Sequence, residues 1–273
     1  MTHAYLGREI MMKTTALLSL LVLLSLASAS ADEINRITLD GKAGAPAPIV
    51  AVGNNGIELI HTVATPALEL FPAAQQPACG TIIICPGGGY KVLAINIEGH
   101  YLTKLLNGFG YDVAILLYRV NAGPETRELA LADAQAALAL LQKRGATFGL
   151  STKKIGVMGF SAGGHLAARV THATASSTPP DFAVLMYPAY LEKDGQILND
   201  VAPVKTPVFI YVAADDKYAT NSVVYAAACK EKKVPCDFHE PAHGGHGFGL
   251  KPILPPDVKD WPDKLHAFLD GLK

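Results

Sequence analysis

Ser161 stands in Gly159-Phe160-Ser161-Ala162-Gly163, a G-x-S-x-G pentapeptide between an apolar run and a helix-forming stretch. A tight strand-to-helix turn of this kind lifts a serine hydroxyl into the open as a nucleophile. Glycines flank it because side chains there would collide with the neighbouring strand and helix. A helix N-terminus behind the serine also favours developing negative charge. The chemistry this implies is nucleophilic acyl transfer. It requires a base, an acid to orient that base, and donors for a tetrahedral oxyanion.

Donors are offered by Pro86-Gly87-Gly88-Gly89-Tyr90, which follows another apolar run. Consecutive glycines expose backbone N–H groups, so Gly88 and Gly89, with Ala162 after the nucleophile, are the candidate oxyanion hole. A histidine often precedes such glycines, and Pro86 occupies that place here; backbone donors survive the change. No Gly-Lys-Ser/Thr follows, which excludes a phosphate-binding loop.

The acid and base are sought downstream of Ser161, in the order acid then histidine. Asp215 and Asp216 end the apolar run Val208–Ala213. Adjacent side chains at a strand end point different ways, so only one can orient the base. Asp216 is preferred, with Asp215 as the alternative. Of the late histidines, His239 falls in a strand (236–240) and His266 in the last helix, where structural roles are expected. His243 and His246 share the loop 241–248. Glycines on both sides give His246 room to reach Ser161, and His243 is the second choice. The H-x3-H-x2-H spacing of His239, His243 and His246 raises a metal site, but glycines break the rigid face that a metal needs. No metal and no cofactor are expected. His165 reads as a packed or hydrogen-bonded helix residue.

These groups must be held by a scaffold. Short runs rich in Val, Ile and Leu (81–85, 113–118, 154–158, 182–186 and 208–213) read as strands buried on both faces. Segments 34–39 and 67–71 look like earlier strands, separated by a loop over 41–48. Helices are expected over 97–106, 125–144, from Leu166 onward, 221–231 and 261–272. Leu129, Ala132, Ala136 and Leu140 suggest the packed face of the second. Alternation of strand and helix predicts an α/β fold, with a mainly parallel sheet and helices on both faces. Active sites in such sheets gather at the carboxyl ends of strands.

The 273 residues, 50% hydrophobic and 17% charged, suffice for one substantial core. The net charge of −1 carries no basic stripe for nucleic acid. Lys13, an apolar stretch over 16–26 and Ala29-Ser30-Ala31 read as a signal peptide spanning 1–31. Translation is expected to start at Met11 or Met12, and the mature domain to run over 32–273. A secreted or periplasmic location follows, without stable membrane association after cleavage. The chain has four cysteines, Cys79, Cys85, Cys229 and Cys236. Export permits disulfides, and the short loop between Cys229 and Cys236 lets those two meet, the alternative being that these are small buried residues.

The chain resembles the α/β-hydrolase esterases of the acetyl xylan esterase-like, BD-FAE type. The carriers are 85–90, Glu98-Gly99, Leu117-Tyr118-Arg119, 133–135 and 155–168, followed by Asp181-Phe182, Tyr187-Pro188, 214–216 and 244–249. The resemblance implies the α/β-hydrolase fold, a triad of Ser161, Asp216 and His246, and hydrolysis of a small-molecule or oligosaccharide ester, acetylated sugars first. Two departures stand out. Ala137 and Leu138 lie near a place where relatives carry Arg, and the segment 217–222 after Asp216 is short, which reshapes the pocket rim. Other readings are a general short-chain or feruloyl esterase, a prolyl-oligopeptidase-like peptidase, and a binding protein on a hydrolase scaffold. The peptidase reading lacks room for the propeller such enzymes carry.

Overall fold

The computed structural model describes residues 34–53, 55–173 and 178–273. The expected signal peptide and both candidate start sites lie outside these residues. No helix among the described residues is long and apolar enough to cross a membrane.

Eight strands form the main sheet: β1 (Asn35–Thr38), β4 (Ala67–Phe71), β5 (Gly80–Cys85), β7 (Tyr111–Leu117), β8 (Ile155–Phe160), β9 (Ala183–Met186), β12 (Val208–Tyr211) and β13 (Cys236–His239). Their order is β1-β4-β7-β5-β8-β9-β12-β13. Pairs from β7 to β13 are parallel, while β4 pairs antiparallel with both β1 and β7. The central strands are buried throughout, which is why their sequences lack polar alternation. Helices α1 (Tyr101–Gly108), α2 (Thr126–Arg144), α3 (Ala162–His172), α4 (Ala219–Lys232) and α5 (Trp261–Gly271) complete the layers. Cys85 pairs with Gly159, and Met186 with both Phe160 and Tyr211. The loops after β5, β8, β9, β12 and β13 therefore emerge along one carboxyl edge.

Three strands absent from the sequence reading build a second, antiparallel sheet: β2 (Val50–Val52), β3 (Glu58–Ile60) and β6 (Leu93–Ala94). A two-residue hairpin, β10 (Glu192–Lys193) with β11 (Gln196–Ile197), was likewise not expected. Strands of two or three residues are too short to express a period.

Two helical expectations are corrected. The helix expected from Ile97 begins at Tyr101, behind an irregular wide turn over Asn96–His100. Glu98 breaks the helical path there, with φ −118° and ψ 15°, because its carboxyl turns inward. On α2 the buried face carries Ala130, Ala134, Ala137, Leu138, Leu140 and Leu141, so Leu140 packs as expected while Ala132 and Ala136 lie in solvent. Alanine recurs on all sides of this helix, so apolar spacing does not single out a face. Asp133 fixes the rotation: it is buried and receives the Arg119 guanidinium and backbone N–H.

Candidate active site

Ser161 sits between β8 and α3 with φ 52° and ψ −115°, a conformation side-chain-bearing residues rarely adopt. Three hydrogen bonds hold it there. Its N–H donates to the Met186 carbonyl (3.0 Å), and its own carbonyl accepts from His165 and Ala189 (both 3.1 Å). The flanking glycines are sterically required. A Cβ at Gly159 would lie 2.0 Å from the Gly163 carbonyl oxygen, and one at Gly163 would lie 2.0 Å from that of Cys85.

Ser161 Oγ is 2.8 Å from His246 Nε2, and His246 Nδ1 is 2.6 Å from Asp216 Oδ2. With the Nδ1 proton donated to the carboxylate, Nε2 is left to accept the serine proton. The Asp216 side chain is fully buried, and its second oxygen accepts the Tyr218 N–H at 2.8 Å. Asp215 points elsewhere. It accepts the Gly245 N–H at 2.8 Å and lies 3.6 Å from the exposed His243. The Gly245 amide foremost holds the Asp215 carboxyl below the usual range.

The other histidines do not converge on the site. His239 pairs with Asp237 at 3.0 Å, and His266 stacks on Phe109 with ring centroids 4.2 Å apart. No group of three His, Cys, Asp or Glu side chains among the described residues could hold a metal. His165 is buried, with Nδ1 accepting the Tyr90 hydroxyl at 2.6 Å. Burial, then the nearby Arg127 and Arg169 charges, lower it to about 3, so it is neutral at ordinary pH. Cys229 and Cys236 are brought together as neighbours, but as free thiols; the expected bridge is not formed in this structure. Lys233, in the left-handed conformation, closes the turn that makes them neighbours.

In the glycine loop, Gly88 has φ +134°, and a Cβ there would meet the Val92 carbonyl oxygen at 2.0 Å. Among the described residues, no backbone carbonyl takes up the N–H of Gly88, Gly89 or Ala162. Pro86, in the usual place of a histidine, instead offers its carbonyl to the buried Tyr118 hydroxyl at 2.5 Å. A cleft of about 310 Å³ opens over Ser161 and His246, lined among others by Ile57, Leu59, Val92, Tyr190, Lys217 and Tyr218. Lys217 and Tyr218 belong to the short segment after Asp216. The Tyr187 and Tyr218 rings pack edge-on against the His246 imidazole, at 5.1 and 5.0 Å. Reasoning from residue chemistry missed Tyr187 and the 57–59 wall. Tyr187 directly follows β9, so the carboxyl-end rule could have found it; the wall leaves no comparable signal.

A family profile described as the α/β-hydrolase fold matches residues 82–202. The chain has the α/β-hydrolase fold. This α/β hydrolase resembles an acetylxylan esterase of Xylanibacter ruminicola, with 26% identity over 64% of this chain and 42% of that protein. It also matches endo-1,4-beta-xylanase B of Butyrivibrio fibrisolvens, with 24% identity over 61% of this chain and 32% of that protein. The chain thus spans less than half the length of these curated relatives. Among solved structures, the acetyl ester-xyloside bifunctional hydrolase of Caldicellulosiruptor lactoaceticus superimposes with a TM-score of 0.69. That pair shares 25% identity and covers 90% of this chain and 98% of the other.

Proposed function

We propose that this protein is a secreted or periplasmic serine carboxylesterase that removes acetyl groups from xylan-type oligosaccharides. The observation that carries the reading is the unbroken chain of contacts from Ser161 Oγ through His246 to the buried Asp216. Ser161 attacks the acyl carbon while His246 Nε2 takes the hydroxyl proton, and the Asp216 carboxylate stabilises the resulting imidazolium. Charge moves to the former carbonyl oxygen, where the N–H groups of Gly88, Gly89 and Ala162 receive it. His246 then gives its proton to the departing sugar hydroxyl. In the second half, His246 Nε2 draws a proton from a water as its oxygen attacks the acyl-serine; the tetrahedral intermediate then collapses, the Ser161 Oγ–acyl bond breaks, His246 returns the proton to Oγ, and acetate leaves. No metal or cofactor enters this sequence.

The acetylated-sugar assignment is supported by the two relatives matched above, an acetylxylan esterase and a xylanase, and by a cleft rimmed with Tyr190 and Tyr218. Aromatic faces of this kind stack on sugar rings. The export assignment is supported by the apolar and small-residue pattern over 13–31.

Ser161→Ala is expected to abolish p-nitrophenyl acetate hydrolysis while the circular dichroism spectrum stays unchanged; retained turnover would refute the reading. Parallel assays on acetyl-xylan, feruloyl esters, short-chain esters and a peptide substrate place the substrate. Greater activity on feruloyl esters or on the peptide than on acetyl-xylan would overturn the acetyl-sugar assignment.

A further inference from the structure

Glu98 is a carboxyl that the acyl-transfer steps above do not use, yet it is buried and lies directly beneath the glycine loop. Its two oxygens reach in different directions. Oε2 accepts the Gly87 N–H at 2.7 Å, immediately before the oxyanion donors Gly88 and Gly89. Oε1 accepts the Tyr187 hydroxyl at 2.8 Å. The Tyr187 oxygen in turn accepts the Gly249 N–H at 2.9 Å, three residues after His246. The neighbouring backbone runs the same way, since Leu250 N–H donates to the Ile97 carbonyl at 2.8 Å.

From this juxtaposition we infer that Glu98 is a positioning residue: it fixes the oxyanion loop and the His246 loop relative to each other, through Gly87 on one side and Tyr187–Gly249 on the other. The inference rests on the Ser161 hydrolase reading for its kinetic consequence, but not for its structural one.

Three observations favour this over a merely space-filling role. A buried carboxyl is costly unless its oxygens are matched by donors, and here each oxygen has one. Glu98 leaves the helical path to make these contacts, which delays α1 until Tyr101. The fit is also close: a Cβ at Gly87 would approach Glu98 Oε2 to 2.7 Å, and one at Gly249 would lie 3.3 Å from Glu98 Cγ. Glycine at both positions lets the two loops close on the carboxyl.

The test combines steady-state kinetics on p-nitrophenyl acetate with hydrogen–deuterium exchange over the segments 86–90 and 246–250. Glu98→Ala removes both contacts. Misplacing oxyanion donors typically lowers kcat by about 100-fold, so a drop of about that size is expected, with KM within about twofold. Faster exchange is expected in both segments. Glu98→Gln keeps the shape; its carbonyl can accept from Gly87 and its amide can donate to the Tyr187 oxygen. It should stay within about tenfold of wild type in kcat and retain slow exchange. Tyr187→Phe cuts only one arm, so exchange should rise over 246–250 and not over 86–90. Should Glu98→Ala fail to fold, Glu98→Gln and Tyr187→Phe decide the matter.

The inference is overturned if folded Glu98→Ala keeps kcat within threefold, or if its exchange changes in neither segment or only one. It is equally overturned if Tyr187→Phe loosens both segments or neither. If wild-type protein shows no Ser161-dependent ester turnover, the hydrolase reading fails, and the exchange arm alone still judges the brace.

Discussion

The choice between Asp215 and Asp216 turns on which way two adjacent carboxylates face. Both are aspartates at the same strand end, so residue type cannot separate them, and the sequence reading preferred one while leaving the other open. In the structure, Asp216 is buried against His246 Nδ1, whereas Asp215 is partly exposed and tied to Gly245. Asp216→Asn should therefore lower kcat by roughly 10³–10⁴-fold, because the imidazole loses the partner that fixes its tautomer. Asp215→Asn should stay within about tenfold, since only a loop hydrogen bond weakens. Rates on p-nitrophenyl acetate for the two purified variants check the pair; equal losses would refute the assignment. The convergence of Ser161, His246 and an aspartate was legible because acyl transfer needs fixed residue types in a fixed order. For Tyr187 the one signal is its place just past β9, because a tyrosine after an apolar run has the same composition whether it packs or positions.

At the scale of elements, the turn between β8 and α3 depends on the absence of two Cβ atoms. Each would overlap a backbone carbonyl, that of Gly163 in α3 for Gly159 and that of Cys85 at the end of β5 for Gly163, so the strain cannot be relieved by a side-chain move. Gly163→Ala should destabilise the protein by about 3 kcal/mol or more and reduce activity in the fraction that folds. Urea unfolding midpoints for wild type and variant measure it, and an unchanged midpoint would show that the turn has slack. The elements that were legible share one property: they are long enough for burial to impose a pattern. β5, β7 and β8 announced themselves through unbroken apolar runs. The start of α1 and the buried face of α2 differ from expectation for opposite reasons, although α2 spans the expected residues. In α1 an inward-turned carboxyl overrides helical propensity, and in α2 alanine-rich composition blurs the buried face until the Arg119–Asp133 contact fixes it.

For the whole molecule, acid stability depends on His165. In the unfolded chain its ordinary value is 6.5, and in the folded protein burial lowers it to about 3. Between these values the unfolded state takes up the proton first, so stability falls as pH drops below 6.5. The loss approaches about 2 kcal/mol by pH ~5, at about 1.4 kcal/mol per pH unit. His165→Gln keeps an acceptor for Tyr90 without titrating, and should shrink the difference in Tm between pH 7 and pH 5. An unaltered difference would mean that other groups govern this range. The parallel α/β plan was legible from alternation alone. The antiparallel pairing of β1 with β4 and of β3 with β6 joins segments about 30 residues apart, which no local window contains, while β2 and β3 form a hairpin too short to show a period.

That small sheet carries a consequence for how such enzymes diverge. Ile57 and Leu59 face the cleft from a ribbon that joins the catalytic body through the Ile95 N–H to Glu58 carbonyl bond at 2.9 Å and the β3–β6 pairing. None of the bond-breaking groups resides on it. On the esterase reading, this wall adds to Tyr190 and Tyr218 a second surface that would touch what sits beside the scissile ester. Exchanging the ribbon with a relative's should then alter preference among esters and leave turnover of p-nitrophenyl acetate intact.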